Sequence, residues 1–306
     1  MALSKILNSS MADNTIHGRR NLVINGSAQC WQRATSASST GYTSVDRWSY
    51  YAPSSLAISR STDVPTGFQY AISVGGGGDS SGITQKIEAS TCKQLVGKTI
   101  TVSFYLKQTT GSGTDKIAVA LSRADSEDNF GGTTSISSQT ISTTSSYARY
   151  TCTFTSLPSE VANGLQLTIK SNGSGSVVYL ITGIQLEVGS VTPFEHLSAG
   201  ESLQLCQRYF ELKNGGICNG MSVSTTSIQS GFSYRVPKRA SAAHSLQGTV
   251  YSNDGGVQAE LSAVSQAHGF TNGALLIFTS GAIQNDTIIE FYSQSETTGL
   301  AIDAEL

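Results

Sequence analysis

The most constraining feature of this sequence is an alternation of apolar and polar side chains within short segments. Residues 101–107 place Val, Phe and Leu at every second position and Thr, Ser, Tyr and Lys between them. Residues 117–121, 148–154 and 165–169 repeat the alternation, and clusters of Gly, Ser and Asn separate such segments. A period of two places successive side chains on opposite faces of a β-strand. The pattern predicts an all-β chain of antiparallel strands with one core face and one solvated face.

Composition supports this class and removes several others. Of the 306 residues, 48 are Ser and 32 are Thr, and only 13% of the chain is charged. Soluble domains usually carry about 25% charged residues, so we exclude a coiled coil and a highly charged disordered chain. The net charge is −2 and the pI is 6.1. Because nucleic-acid binding needs a basic surface, we expect no nucleic-acid partner.

Residues 177–188 form the longest apolar segment, which begins as a continuous run and ends in alternation. Such a segment is typical of a central strand. The run is far shorter than the roughly 20 residues of a membrane-spanning helix. We therefore expect no membrane insertion.

One segment interrupts the β pattern and predicts a helix. Ser198 and Glu201 have the spacing of a capping box, in which each side chain bonds to the other residue's backbone N–H. Apolar side chains then recur on one helical face, which predicts a helix at about 199–209, with an extended run from Arg208 to Leu212 as an open alternative. A second, smaller antiparallel β domain is predicted by six short segments that follow, at 228–236, 242–251, 257–264, 274–279, 287–292 and 301–306.

The predicted organisation has four parts. Residues 1–20 are polar and form an N-terminal attachment arm, with an ordinary ragged terminus as an open alternative. A jelly-roll β-sandwich spans 21–197, a linking helix spans 198–212, and the C-terminal β domain spans 213–306. Length alone favours two domains with separate cores.

The sequence contains no export signal and no metal-binding spacing. No apolar stretch follows Lys5, as a secretory signal would require, so we expect synthesis and retention in a cytoplasm. The five cysteines are dispersed without a CxxC pair, which predicts reduced and mostly buried thiols. The four histidines have no HxH or HExxH spacing. We therefore predict no metal and no cofactor.

No motif with a catalytic mechanism is present, so we predict a non-enzyme with no catalytic residues. The glycines at 75–78 lack the Lys-Ser/Thr of a phosphate-binding loop and predict a flexible loop. Asp125, Glu127 and Asp128 cluster in a short segment that is typical of a solvated turn. A calcium loop is one alternative for this segment, and the carboxylate pair of a glycosidase is another.

Aromatic side chains on the solvated face provide candidate glycan contacts. Tyr105, Tyr147 and Arg149 fall on the polar phases of their predicted strands. The C–H face of a sugar ring stacks on a Tyr ring, and Arg hydrogen-bonds sugar hydroxyls. Trp31 and Trp48 could serve the same purpose, but large aromatics are usually mostly buried, and Trp48 in particular is expected in the core.

Two segments carry a resemblance to a known family. NLVINGSAQCWQRATS at 21–36 with GYTSVDRW at 41–48 resembles the opening of a domain in tail-fibre and related virion proteins of tailed bacteriophages. Residues 181–212, which begin ITGIQLEVGSVTPFEH, resemble the end of that domain. TVSFYLK at 101–107 is similar to the central strand of jelly-roll carbohydrate-binding modules, and the final AIDAEL resembles the ending of many fibre proteins.

The resemblance implies a virion structural protein, homotrimeric in its fibre setting, that contacts host surface glycans. Residues 1–20 would then attach the chain to other virion proteins. The expected function is a short tail fibre or receptor-binding protein located on the virion tail. A capsid or tail decoration protein that serves assembly is the alternative, and a depolymerase would require a carboxylate pair that the sequence does not supply.

Overall fold

The computed structural model describes residues 19–52, 54–77, 81–110, 116–172, 177–281, 283 and 288–306. The chain divides into two compact units. The first unit contains residues 1–29, 35–197 and 306, and the second contains residues 30–34 and 198–305. Most of the attachment arm predicted at 1–20 lies outside the described residues.

The first unit is a sandwich of two antiparallel sheets. Its strands are β1 (Ser36–Ala37), β2 (Ser49–Tyr51), β3 (Ser54–Ser61), β4 (Ala71–Gly77), β5 (Gly82–Ile87), β6 (Ile100–Thr110), β7 (Lys116–Ser126), β8 (Asn129–Ser142), β9 (Ala148–Phe154), β10 (Leu165–Ser171) and β11 (Val177–Val188). A short helix, α1 (Ala89–Cys92), follows β5. One sheet has the order β1-β3-β4-β11-β6-β9, and the other has the order β2-β5-β10-β7-β8.

The alternation seen in the sequence forms the core of this sandwich. Every second residue of β10 is buried, beginning with Leu165. On the facing sheet, Phe104 and Leu106 are fully buried. Trp48 is also fully buried and donates from Nε1 to the carbonyl of Asn25 at 3.2 Å. The predicted all-β jelly-roll sandwich and the core position of Trp48 are therefore confirmed.

Hydroxyl pairs join neighbouring strands in both sheets. The Oγ1 atoms of Thr101 and Thr153 lie 3.2 Å apart between β6 and β9. The Oγ1 atoms of Thr84 and Thr168 lie 3.1 Å apart between β5 and β10. Cross-strand hydroxyl bonds of this kind stabilise a sheet without introducing charge.

The prediction of a flexible loop at residues 75–78 was wrong for the first three glycines, which belong to β4, and Gly78 lies outside the described residues. Gly75 pairs with Val178 of β11 on one side and with Ala57 of β3 on the other. A Cβ atom at Gly75 would lie 3.2 Å from a methyl carbon of Val178. Close packing between these strands, rather than loop flexibility, explains the absence of a side chain there.

The second unit contains a closed six-stranded barrel and a three-stranded sheet. Its strands are β12 (Phe210–Lys213), β13 (Gly216–Ser222), β14 (Ser227–Ser233), β15 (Ala243–Gln247), β16 (Tyr251–Asp254), β17 (Val257–Gly269), β18 (Gly273–Ser280), β19 (Ile288–Tyr292) and β20 (Gly299–Asp303). The barrel has the order β13-β14-β18-β17-β16-β19, and the sheet has the order β12-β20-β15. Phe278 and Phe291, which both lie on barrel strands, pack in the core with their ring centroids 4.4 Å apart.

The predicted helix is present but shorter than expected. Helix α2 (Ala199–Gln207) begins at the capping box of Ser198 and Glu201, and both hydrogen bonds of the box are formed. Within the linking segment predicted at 198–212 the helix ends at Gln207, and the extended run that the sequence left open for residues 208–212 is observed from Phe210 onward. Phe210 starts β12, which pairs with β20, and its side chain is buried with Leu212 and Ala301; tertiary packing of this kind outweighs local helix propensity.

Two predicted strand limits also change. The segment expected as one strand from 242 to 251 is divided at Gly248, which has a φ of +64° and so interrupts the extended backbone. Strand β13 was not predicted because its two glycines weaken the alternation.

Four of the five free cysteines are buried and Cys218 is half-buried, which confirms the predicted thiols. No described helix is long and apolar enough to cross a membrane.

Candidate functional site

The three residues predicted to contact glycan lie together on the outer face of the six-stranded sheet. Tyr105 on β6 is the Cα partner of Arg149 on β9, so their side chains share a face. The guanidinium carbon of Arg149 lies 5.8 Å from the ring centroid of Tyr105. Tyr147 directly precedes β9, and all three side chains are half-buried. Strand register is therefore sufficient to bring the three residues to one surface.

Tyr105 belongs to a group of four rings, Phe68, Tyr105, Phe194 and His196, which we name the aromatic cluster. The ring of Phe68 is central, with centroid distances of 5.4 Å to Tyr105, 5.2 Å to Phe194 and 5.2 Å to His196. Phe194 and His196 meet edge to face at 4.9 Å. These separations are typical of favourable aromatic pairs. His196 is exposed and the other three rings are half-buried, so part of the cluster reaches solvent.

A glycine in β11 makes room for the aromatic cluster. Gly183 has a φ of +61° and lies where the pairing of β11 with β6 shifts register, between Thr182 and Gln185. A Cβ atom at Gly183 would lie 2.6 Å from Cζ of Phe68 and 2.9 Å from Cδ2 of Tyr105. Only glycine accepts both the left-handed backbone and this close approach.

Tyr147 holds a loop against the sheet. Its hydroxyl donates to the carbonyl of Asp63 at 2.6 Å. Lys107 forms an ion pair with the Asp63 carboxylate, and its Nζ lies 5.0 Å from the Tyr147 ring centroid. Burial, and secondarily the charge of Asp63, raises the pKa of Tyr147 well above its ordinary value. The phenol is therefore a neutral hydrogen-bond donor.

Arg149 is tied to a second loop. Its Nη2 donates to Oγ of Ser103 at 3.0 Å and to the carbonyl of Thr192. Its Nε is buried and makes no hydrogen bond within the described part of the chain. The guanidinium is thus fixed in place beside Tyr105 while one of its donors is unused.

The middle of the face predicted to be solvated is buried. Thr101 is 1% exposed and Ser103 is 0% exposed. Beside them, Gln185 and Glu187 are equally buried, and Glu187 accepts from the N–H of Thr192 at 2.9 Å. The loop after β11 crosses these strands and satisfies their polar groups, which removes the penalty of burying them. On the neighbouring edge strand β9, Thr151 and Thr153 of the same face remain exposed.

Sequence reasoning missed Phe68, Phe194 and His196. All three lie in loops, where no periodicity indicates which way a side chain points. The one available signal was Gly183, because a glycine inside an apolar strand marks a bulge or a close approach. It does not indicate which residue approaches.

The acidic residues at 125–128 do not converge on one point. Asp125 accepts from the hydroxyl of Thr134 at 2.7 Å, and Glu127 pairs with the Nζ of Lys93 at 2.8 Å. Asp128 accepts from the N–H of Ala89 at 2.7 Å. Each carboxylate therefore has a separate structural partner.

The fold and this surface define an all-β protein with a jelly-roll sandwich that carries a half-exposed aromatic surface. No protein-family model and no curated protein sequence matches the chain. Among solved structures, one similar fold is the enzymatically active domain of bacteriophage CBA120 tailspike protein 4, with 18% identity and a TM-score of 0.38. That match covers 55% of this chain and 21% of the tailspike chain.

Two carbohydrate-binding modules also match in fold. TmCBM61 in complex with β-1,4-galactotriose has 16% identity and a TM-score of 0.35, covering 56% of this chain and 100% of that chain. The CBM22-1 xylan-binding domain from Paenibacillus barcinonensis Xyn10C has 12% identity and a TM-score of 0.36, covering 57% and 100%. At these values the likeness concerns the fold alone.

Proposed function

We propose that the sandwich binds carbohydrate at the aromatic cluster, with Tyr105, Tyr147 and Arg149 among the contacts. The observation that carries this proposal is the group of partly exposed rings centred on Phe68. A sugar's apolar face would stack on these rings, while Arg149 and Lys107 beside them would bond its hydroxyls. Aromatic surface with a few fixed polar groups is the usual make-up of a small-ligand site.

We infer further that the chain is a non-enzymatic virion structural protein, a short tail fibre or receptor-binding protein that contacts host surface glycans. The motifs at 21–48 and 181–212 and their resemblance to tailed-phage proteins support this proposal. Residues 1–20 would attach the chain to other virion proteins, and several copies would turn weak sugar contacts into stable adsorption.

An exposed apolar pair supports the proposed homotrimer. Met221 on β13 and Ile288 on β19 are direct cross-strand partners, with 59% and 74% of their surfaces exposed. Large apolar side chains that share an exposed surface are typical of contact sites between proteins. A second copy of the chain would cover this pair.

Binding of the purified protein to host cells and to immobilised saccharides tests the proposal. We expect Phe68→Ala and Tyr105→Ala to lose most of the signal because the stacking surface is removed. Tyr251→Ala, which removes a half-exposed ring in the second unit, is the matched control. Unchanged binding by both cluster variants, or no binding by the native protein, would contradict the proposal.

Two further assays separate the alternatives. Labelling of intact virions distinguishes a fibre at the tail tip from a decoration protein, which would be spread over the capsid or tail. Release of reducing ends from host polysaccharide would favour a depolymerase. In that case Asp125, Glu127 and Asp128 should each be changed to Ala.

A further inference from the structure

A groove separates two edge strands on the open side of the sandwich, and we name it the β8–β9 groove. Strand β8 ends the five-stranded sheet, and β9 ends the six-stranded sheet. The groove has a volume of about 610 Å³, within the range of about 300–1,000 Å³ that ligand sites occupy. It lies apart from the aromatic cluster, since none of the four rings lines it.

The walls of the β8–β9 groove carry uncharged hydrogen-bonding groups. The β8 wall contributes Ser135, Ser137 and Gln139, and the opposite wall contributes Thr153, whose carbonyl faces the groove. Ile136 also lines the groove, because a register shift against β7 leaves it as an extra residue without a partner. Uncharged hydrogen-bonding groups on two facing walls match a ligand that is itself rich in hydroxyls.

The charges at one end of the groove do not favour an anionic ligand. Arg123 and Glu160 both line it, and Nη1 of Arg123 lies 3.4 Å from the carboxylate of Asp125. The Glu160 carboxylate accepts a hydrogen bond from its own backbone N–H and, secondarily, one from Ser159. These bonds lower the pKa of Glu160, so its carboxylate is ionised at neutral pH. One guanidinium beside two carboxylates gives no attraction for a polyanion. A neutral ligand suits this end better than an acidic one.

An added peptide strand fits the groove poorly. Strand addition requires a row of free backbone N–H and C=O groups on the receiving edge. The amide of Gln139 crosses the groove and donates to the carbonyl of Thr153. This bond occupies an outward carbonyl of β9 and places a side chain where a pairing strand would lie.

We propose that the β8–β9 groove binds a short segment of a neutral, hydroxyl-rich glycan chain, as a second saccharide site on the same sandwich. This inference rests on the proposed carbohydrate-binding function. Two sites on one unit raise the affinity for a long glycan if the chain between them can span both. The groove supplies neutral hydrogen bonding, whereas the aromatic cluster supplies stacking.

Two adjacent serines allow a matched test. Ser137 lines the groove, whereas Ser138 is exposed and does not line it, because successive side chains on a strand point to opposite faces. Ser137→Trp fills the groove, and Ser138→Trp adds the same ring on the other face. The probes are xylohexaose, cellohexaose and a β-1,4-galactan hexasaccharide, with a uronate hexasaccharide as the acidic comparison. Amide chemical shifts of the full chain locate each probe and measure its affinity.

We expect at least one neutral hexasaccharide to shift amides of residues 135–139 and 153–157, and the uronate to leave them unchanged. Ser137→Trp should weaken this interaction by about tenfold or more, and Ser138→Trp by less than about twofold. Shifts confined to residues around Phe68 would overturn the groove site and leave the proposed function standing. Equal affinities of the two variants for the groove, or preference for the uronate there, would also overturn it. No shifts with any probe would contradict both proposals.

Discussion

The guanidinium carbon of Arg33 lies 3.6 Å from the ring centroid of Phe210. The same guanidinium pairs with Asp303 at 3.0 Å. Residues 30–34 therefore pack within the second unit, although the sequence prediction placed them inside the domain at 21–197. This five-residue segment therefore contributes the Arg33 side chain to the second unit.

Replacing Arg33 should destabilise the second unit. Glu305 lies 3.5 Å from the guanidinium and is 6% exposed, so Arg33→Met removes a cation from beside a buried carboxylate. We expect a loss of about 3 kcal/mol, measured as a lower transition temperature in calorimetry. Lys93→Met breaks an exposed ion pair with Glu127 and should leave the transitions unchanged. An equal effect of the two substitutions would refute the prediction.

A fully buried ion pair in the second unit predicts a non-additive effect. Nζ of Lys238 lies 2.6 Å from the Glu211 carboxylate, and both side chains are 0% exposed. Lys238→Met alone should cost about 3 kcal/mol, because it takes the closer cation from a buried carboxylate and leaves Arg235, at 3.7 Å, beside it. The double variant Lys238→Met with Glu211→Leu should recover most of that loss. Urea denaturation measures both, and a double variant no more stable than the single one would contradict the expectation.

His244 should make the stability of the second unit depend on pH. Its Nε2 lies 3.0 Å from the Tyr234 hydroxyl, and burial, with a smaller contribution from Lys238, lowers its pKa below the ordinary 6.5. The unfolded chain then binds a proton at a higher pH than the folded chain. Stability should fall as the pH drops below about 6.5 and level off below the folded-state pKa.

Free energies of unfolding measured across this pH range test the prediction for His244. His244→Gln should flatten the dependence, whereas His268→Gln, at an exposed position, should preserve it. If the free energy of unfolding of the native protein does not change over this pH range, protonation of His244 is not coupled to unfolding.

Gly183→Ala should disturb the aromatic cluster as well as the backbone. A left-handed backbone at alanine costs about 1–2 kcal/mol, and the clash with Phe68 adds about 1–3 kcal/mol of overpacking. Gly97→Ala is the control, because Gly97 has a φ of +70° and open space around its missing Cβ. In calorimetry of the full chain, Gly183→Ala should lower the transition temperature of the first unit more than Gly97→Ala does. The reverse order would be inconsistent with the close approach of Phe68 to Gly183.

The thiols of the sandwich should resist modification. Burial raises the pKa of Cys92 to about 12 and that of Cys152 to about 11, and the thiolate is the reactive form. At about pH 8 an aromatic disulfide reagent should therefore react with these cysteines only after urea unfolds the chain. Half-buried Cys218 is expected to react first, and rapid modification of Cys92 in the native protein would argue against this order.

Local features of the fold were predictable because their physical causes are local. The alternation at 165–169 follows strand geometry, and the capping box of Ser198 and Glu201 needs only its own helical turn. The burial of Ser103 was not predictable, because it depends on the loop that carries Thr192 and crosses the sheet. The alternation in 101–107 identifies two faces but does not show which later segment covers one of them.

The candidate site likewise contains residues that the sequence predicts and residues that it does not. Tyr105 and Arg149 were found because strand phase alone places them on one face. Phe68 was not found, because its position above Gly183 depends on the path of a loop through space. A glycine within a strand indicates that another group approaches closely, but it does not show which residue that group belongs to.

The threonine pairs between β6 and β9 and between β5 and β10 affect how the sandwich responds to salt. Dissolved salt screens attractions between exposed charges, but it has little influence on a hydrogen bond between two neutral hydroxyls. Sheets joined in this way should keep the same strength in dilute buffer and in concentrated brine. These two cross-strand contacts therefore hold neighbouring strands together without depending on the ionic strength of the solution.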